Sequence, residues 1–177
     1  VETKTINVHG SLDESVEEIY ETQVLVVGTE AMPMEDWVKA RTFSWMVNLI
    51  HFDKILQIPL VMVHEGCGIG YRELTEAFAQ RLPESFPVLN EVQSFFESQA
   101  RDIQKGGPEY AQSEQWLNIW WPPDEYILIK LCSENKLAQF YVEAERLLES
   151  LMEEKSVGLS PNLLRESIEL NHGLIKL

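Results

Sequence analysis

The chain has 177 residues, of which 45% are hydrophobic and 24% charged, values typical of a globular protein that buries a sizeable core. Its 29 acidic and 14 basic residues give a formal net charge of −15. Such a charge repels phosphate backbones and anionic lipid surfaces, so we expect neither nucleic acid nor a membrane as a partner.

The two cysteines, Cys67 and Cys132, lie far apart in the chain and do not form a disulfide framework. Reduced thiols and a cytoplasmic location are therefore expected. No run of about 20 apolar residues indicates a membrane span, and no secretory signal is recognisable. The chain begins with Val1 rather than Met, which suggests a processed protein or a segment of a longer one.

The N-terminal end is predicted to form a short strand–helix–strand element. Residues 1–10 are rich in β-prone Thr, Ile and Val. Ser11 and Glu14 match a capping box that opens a short helix over residues 11–21. Residues 23–28 have the length and β-branching of a buried strand. We expect this α/β edge, residues 1–28, to precede a helical domain, residues 29–177, in a mainly α-helical, multi-helical fold.

Helical spacing of apolar residues continues through most of the chain after position 29. The first predicted helix, residues 34–52, carries most of its bulk as Trp, Phe and Met. The apolar run 55–65 fits either a buried strand or a buried helix, and we interpret it as a helix with Pro59 in its first turn. The remaining helices are predicted over residues 71–82, 88–105, from 122–125 onward, 133–154, and 161 to about 173.

Motifs that carry chemistry are not evident. The glycine-rich segment 66–70 places its third glycine one position too early for a dinucleotide fingerprint. His64, Glu65 and Cys67 form a candidate metal cluster that only His51, with Asp53 beside it, could complete, but their spacing matches no zinc motif. A hydrogen-bonded histidine near the end of an element is the alternative interpretation of His64. There is no nucleophile elbow, and we expect neither catalytic residues nor a cofactor in this chain.

Trp37 and Trp45 lie on one face of the first predicted helix, with Arg41 midway between them. The face fits two interpretations. It either packs into the core with Arg41 at its edge, or forms the wall of a ligand pocket or a domain interface, where Trp and Arg are over-represented. Together with His51 at the end of the same helix, these three residues are the candidate interface or pocket residues.

Several motifs carry a family resemblance. They comprise Thr29 and Met32 before the pair Asp36-Trp37, the aromatic pair Phe43 and Trp45, G-Y-R-E at 70–73, W-P-P-D-E at 121–125, and F-Y-x-E at 140–143. Together, over about residues 23–150, they resemble the region beyond the catalytic barrel in cobalamin-binding-domain radical S-adenosylmethionine proteins. The resemblance implies a C-terminal helical accessory domain, with residues 1–28 as a remnant of the preceding barrel.

The departures from that family determine the functional expectation. Enzymes of that family hold a [4Fe–4S] cluster with the three cysteines of a C-x-x-x-C-x-x-C motif. This chain has two cysteines, far apart, and cannot supply that motif. The D-x-H-x-x-G cobalamin signature is also missing. The resemblance therefore implies a chain that is not an enzyme by itself, in a parent protein that carries the cluster, S-adenosylmethionine and cobalamin. Its partner would be the catalytic barrel of the same parent chain, whose open side it covers while shaping the substrate pocket.

On this hypothesis the Trp37, Arg41 and Trp45 face packs on the barrel, and in the isolated chain it is exposed or buried in a homodimer. A second hypothesis is a stand-alone helical module that binds a small apolar ligand or a partner protein, with a closed core and a formed pocket. A third is a metal-dependent hydrolase around His51, His64 and Cys67. The sequence leaves the substrate, the parent reaction and the oligomeric state open.

Overall fold

The computed structural model describes residues 1–7, 22–116 and 118–175. The described chain is mainly helical with a two-stranded sheet near its N-terminus, which confirms the expected fold class. The helix predicted over residues 11–21 lies outside the described residues. In chain order the elements are β1 (Glu2–Asn7), β2 (Thr22–Gly28), α1 (Met34–Val47), a π-helical segment (Asn48–Phe52), α2 (Gln57–Cys67), α3 (Tyr71–Ala79), α4 (Pro87–Gln104), β3 (Ala111–Gln112), β4 (Trp120–Trp121), α5 (Pro123–Ser133), α6 (Leu137–Glu154) and α7 (Pro161–Leu174).

The strands β1 and β2 pair antiparallel, so both predicted N-terminal strands are confirmed. Alternation along the strands turns Ile6 and Val27 into the core, where they are 2% and 0% exposed. The opposite face leaves Val24 and Val26 exposed. The short antiparallel pair of β3 and β4 was not predicted, because two residues per strand leave no periodic signal.

The helix predicted over residues 34–52 forms, but its last turn widens into the π-helical segment. A turn through Lys54, at φ 66°, then leads into α2, which confirms the helical interpretation of the ambiguous run. The two helical stretches meet at a bend of 94°. In the described ranges, no helix taken alone has both the length and the apolar composition of a membrane span, and only this bent pair reaches them jointly.

Two helix boundaries differ from the prediction. The helix α3 ends at Ala79, three residues before its predicted end. The long predicted helix 133–154 begins only at Leu137, because Ser133 ends α5 and Asn135 takes a left-handed φ of 56°. An L-residue in that conformation cannot continue a right-handed helix, and its short polar side chain makes Asn a common occupant of such turns.

A continuous hydrophobic core joins the sheet to the helices. The helix α1 packs against α4, where the rings of Trp45 and Phe96 lie 5.9 Å apart between centroids. Phe78 and Phe140, from α3 and α6, are 1% exposed each. Both cysteines are free thiols.

The N-terminus of α4 is capped by a side chain from α6. Glu143 is 0% exposed, and its Oε2 accepts hydrogen bonds from the backbone N–H groups of Val88 (3.0 Å) and Leu89 (2.9 Å). The Gln139 amide donates to the other carboxylate oxygen at 3.0 Å. The first N–H groups of a helix have no partner within it, and the positive end of the helix dipole favours an anion there. These donors offset the cost of burying the carboxylate.

The N-terminus of α2 is capped in the same way from α7. Asn171 is 2% exposed, and its Oδ1 accepts a hydrogen bond from the backbone N–H of Ile58 at 3.0 Å. Its amide nitrogen donates to the carbonyls of Lys54 (2.9 Å) and Ile55 (2.7 Å). The Tyr141 hydroxyl donates to the Ile55 carbonyl at 2.7 Å. Side chains of α6 and α7 therefore fix the turn that precedes α2.

We expect Glu143→Ala to lower the free energy of unfolding by about 3 kcal/mol, because it leaves buried N–H groups of α4 without an acceptor. Urea denaturation followed by circular dichroism measures the change. Glu149→Ala, on the exposed side of the same helix, is the matched control and should stay within about 0.5 kcal/mol of the parent. Equal stability of the two variants would contradict the capping role.

Candidate functional site

A cavity of about 300 Å³ lies where α2, α5 and the end of α7 meet. We call it the Asp53 cavity. Its walls are formed by the turn before α2, the first turn of α2, one residue of α5 and the end of α7. Its lining consists of Asp53, Lys54, Gln57, Ile58, Leu128, Asn171, Leu174 and Ile175.

Asp53 follows directly on the π-helical segment, and its backbone N–H donates to the Asn48 carbonyl at 2.8 Å. Its Oδ2 is buried and has no hydrogen-bond partner among the described residues. Burial, reinforced by the negative charges of Asp124 and Glu125, raises the pKa of Asp53 to about 7. Isolated π-helical turns and carboxyl groups that titrate near neutral pH both occur frequently at functional sites.

A second buried acid, Asp124, stands in the first turn of α5 and is 6% exposed. Burial raises its pKa, while hydrogen bonds from its own backbone N–H and from the Asn48 side chain, and the charge of Arg41, act in the opposite direction. Asp124 is thus held by polar partners, whereas the Oδ2 of Asp53 has none. Of the two acids, Asp53 is therefore the one whose buried carboxylate oxygen is not satisfied within the described residues.

Arg41 lies beside this acidic group and is itself engaged. Its guanidinium forms an ion pair with Glu109 and lies 4.8 Å from the centre of the Trp45 ring. Its side chain is 29% exposed, so it stands at the edge of the core. Its Nε is buried without a hydrogen-bond partner in the described part of the chain.

The tryptophans of the expected interface lie inside the fold. Trp37 and Trp45 are 8% and 4% exposed, because α3, α4 and α5 pack around α1. The expectation that their face is exposed in the isolated chain is therefore wrong for both residues. The other interpretation of the pattern, a helix packed into the core with Arg41 at its edge, describes the structure.

The structure does not bring His51, His64 and Cys67 together as metal ligands. The Nδ1 of His64 lies 2.8 Å from the Ile69 carbonyl, which confirms the interpretation of a hydrogen-bonded histidine. His51 is half-buried and meets the Tyr71 ring edge-on. The Cys67 Sγ lies 3.5 Å from the Met152 Sδ, and burial raises the pKa of its thiol. Within the described residues, no three His, Cys, Asp or Glu side chains are placed to hold a metal ion, which removes the geometric basis of a hydrolase centred on these residues.

Sequence reasoning missed Asp53 and Asp124 as site residues. Asp53 enters only as the neighbour of His51 in the candidate metal cluster, and Asp124 fits the ordinary preference for acids in the first turn of a helix. The cavity that Asp53 lines is closed by Asn171 of α7 and by Ile175 directly after that helix, more than a hundred positions further along the chain. A sequence pattern limited to one element does not carry that information.

A comparison with models of known protein families finds no match to this chain, and no curated protein is significantly similar to it. The resemblance to cobalamin-binding-domain radical S-adenosylmethionine proteins therefore rests on the motifs that suggested it.

We expect Asp53→Asn to raise the free energy of unfolding above neutral pH. In the unfolded chain the carboxyl ionises near its ordinary pKa of 3.8, whereas in the folded protein it keeps its proton up to a pKa of about 7. Ionisation of Asp53 therefore destabilises the folded state as the pH rises between these two values. Taken in full, a shift from 3.8 to about 7 corresponds to about 4 kcal/mol near pH 8. Because Asp53 is only partly buried, solvent screening should reduce the gain of the variant to about 2 kcal/mol at that pH, and to about 0.3 kcal/mol near pH 4.

Urea denaturation at both pH values measures this difference. Asp102→Asn is the matched control, because Asp102 is exposed and pairs only with exposed Lys105. Its effect should be within about 0.5 kcal/mol at either pH. If the difference in free energy of unfolding between Asp53→Asn and the parent chain does not vary with pH, Asp53 ionises normally in the folded protein.

Proposed function

We propose that this chain is a non-catalytic helical accessory domain of a cobalamin-type radical S-adenosylmethionine enzyme. It packs on the catalytic barrel of the same parent chain and helps to shape the substrate pocket. The [4Fe–4S] cluster, S-adenosylmethionine and cobalamin belong to the parent, in the cytoplasm, and this chain contributes no cofactor ligand. The observation that supports the proposal is an exposed β-branched face on the N-terminal sheet.

That face consists of two cross-strand pairs, Thr3 opposite Val26 and Thr5 opposite Val24. Val24 is 65% exposed and Val26 43%. Among the residues that the structure describes, no third strand pairs with β1 or β2, so their outer edges keep unpaired backbone groups. Two strands form a marginal sheet by themselves, and among the described elements only α1 and α4 pack on this one, leaving the face of Val24 and Val26 exposed. A further layer of protein on the other side would bury the valines and thus add stability.

The proposed contact surface is therefore the exposed face of the sheet, not the face of Trp37, Arg41 and Trp45 that was expected from the sequence. The rings of Trp37 and Trp45 stabilise the accessory domain internally, and the sheet face supplies the contact with the barrel. Arg41 and His51, which are half-buried, remain at the edge of the domain. In the isolated chain the same sheet face is open to a second copy, which would give a homodimer.

A second candidate function is a stand-alone helical module that binds a ligand or a partner protein. Two observations favour it, the continuous hydrophobic core and the Asp53 cavity. The coding sequence around this segment separates the two candidates. A C-x-x-x-C-x-x-C motif ahead of it in the same reading frame is expected for the accessory domain, and a reading frame without that motif would favour the module.

We expect the double variant Val24→Lys/Val26→Lys to lower S-adenosylmethionine cleavage by the complete, cluster-reconstituted parent protein by about tenfold, because it puts two charges into a buried contact. The isolated chain should keep its stability within about 0.5 kcal/mol, since both positions are exposed there. Val142→Lys, at a position that is 51% exposed on α6, is the control and should leave cleavage unchanged. Full cleavage by the double variant would mean that the sheet face is not the docking surface.

A further inference from the structure

A cavity of about 750 Å³ lies between α1, α4, and α3 with the turn that follows it. We call it the Arg81 cavity, and we propose that it binds a monocarboxylate with an alkyl chain of about eight carbons. This inference goes beyond the accessory role and does not rest on it, because none of the residues that line the cavity belongs to β1 or β2.

Each of the three helices turns one side toward the Arg81 cavity. Apart from Ala40, the lining residues of α1 follow the spacing i, i+3, i+4, i+7 and i+8 from Glu35 to Phe43. Those of α3 stand at i, i+4 and i+7 from Arg72, and those of α4 at i and i+4 from Gln93. Such spacings belong to one face of a helix, so the packing of the helices on one another fixes the walls.

The case for an anion begins with Arg81 itself. Arg81 lines the cavity, is exposed, and makes no hydrogen bond or ion pair with any of the described residues. A guanidinium stays charged at any physiological pH, and its parallel N–H groups match the two oxygens of a carboxylate. A carboxylate in the cavity would therefore form the ion pair that the described chain does not provide.

The other charged side chains of the lining already have partners of opposite charge. The ion pairs are Arg101 with Glu35 (2.7 Å) and Glu97 (2.8 Å), Arg72 with Glu76 (2.8 Å), and Lys39 with Asp36 (3.0 Å). The lining contains three basic and three acidic residues, so it is a neutral region in a chain of net charge −15. One unpaired cation suits a single negative charge, and a second charge on the ligand would meet only paired groups and carboxylates.

A buried amide contributes a further donor. Gln93 lines the cavity and is 6% exposed. One N–H of its amide donates to the Glu97 carboxylate at 2.9 Å. An amide nitrogen carries two N–H groups, and the described residues supply no acceptor for the second. The lining thus combines a charged donor at Arg81 with an uncharged donor at Gln93.

The case for an alkyl chain comes from the apolar part of the lining. Val38 and Phe43 of α1 and Ala79 at the end of α3 place hydrocarbon in the walls. Phe43 is half-buried, whereas Trp45, its partner in the aromatic pair of the sequence, is 4% exposed. An alkyl chain against Phe43 would remove apolar surface from water, and the volume of about 750 Å³ lies within the range of ligand cavities.

Isothermal titration calorimetry near pH 7 with sodium octanoate tests the proposal, and we expect one octanoate per chain. Butanoate keeps the carboxylate but lacks four methylene groups, so it should bind at least about tenfold more weakly. Octylammonium has the same chain with the opposite charge. It should also bind at least about tenfold more weakly, although the net charge of −15 attracts cations in general.

Two variants locate the site. Arg81→Gln should weaken octanoate binding by at least about tenfold and leave stability unchanged, because Arg81 is exposed and unpaired in the described structure. Phe43→Gln should weaken binding by about fivefold through loss of the apolar wall, and its denaturation curve shows whether it is folded. Arg165→Gln is the matched control, since it removes the same charge at an exposed position of α7 outside the lining. It should bind octanoate as the parent chain does.

Four results would overturn the assignment. They are no binding of octanoate up to about 10 mM, equal binding by Arg81→Gln, equal binding of butanoate, and binding of octylammonium as tight as that of octanoate. The third would show a surface arginine without an apolar site, and the fourth an apolar surface without selection for an anion. None of these results bears on whether the sheet face docks on a barrel.

Discussion

Side chains of distant helices accept the hydrogen bonds of backbone N–H groups at the start of α2 and α4, and the arrangement of the helical domain depends on these contacts. No hydrogen bond from a helix's own N-cap side chain is found at either end. Asn171 and Glu143 supply the acceptors instead, from 113 and 55 positions further along the chain. Helices α2 and α4 are therefore completed only when α7 and α6 have packed on them. A buried helix end without a partner would cost more than a typical packing contact contributes.

The contacts that complete α2 also build the Asp53 cavity. Asn171 binds the carbonyls of Lys54 and Ile55, and Tyr141 binds the second of these as well. Burial raises the pKa of Tyr141 to about 12, so its hydroxyl remains a donor at any physiological pH. These bonds hold the turn in its left-handed step at Lys54 and keep Asp53 close to the acids of α5. Folding and site geometry thus depend on the same few hydrogen bonds.

This dependence explains which features could be predicted from the sequence. Apolar periodicity located the helices after residue 29, because it reflects packing within one element. It also identified the face of Trp37 and Trp45, but an apolar face looks the same whether the chain itself or a partner covers it. Ser160 has a residue type that favours the N-cap position and stands at the N-cap of α7, yet its side chain makes no capping hydrogen bond there. The caps that matter join distant elements, and a pattern within one helix cannot reveal them.

The sheet face and the Asp53 cavity differ in how they are built, and they share no residue. The sheet face results from local pairing of β1 with β2, whereas the cavity requires α5 and α7. They are joined through α1, because Gln104 of α4 donates to the Met34 carbonyl beside β2 and the other end of α1 runs through the π-helical segment to Asp53. Between these two ends, Trp45 and Met46 bury α1 in the core. Because no residue of β1 or β2 lines the cavity, a side-chain change confined to the exposed valines should leave the cavity as it is.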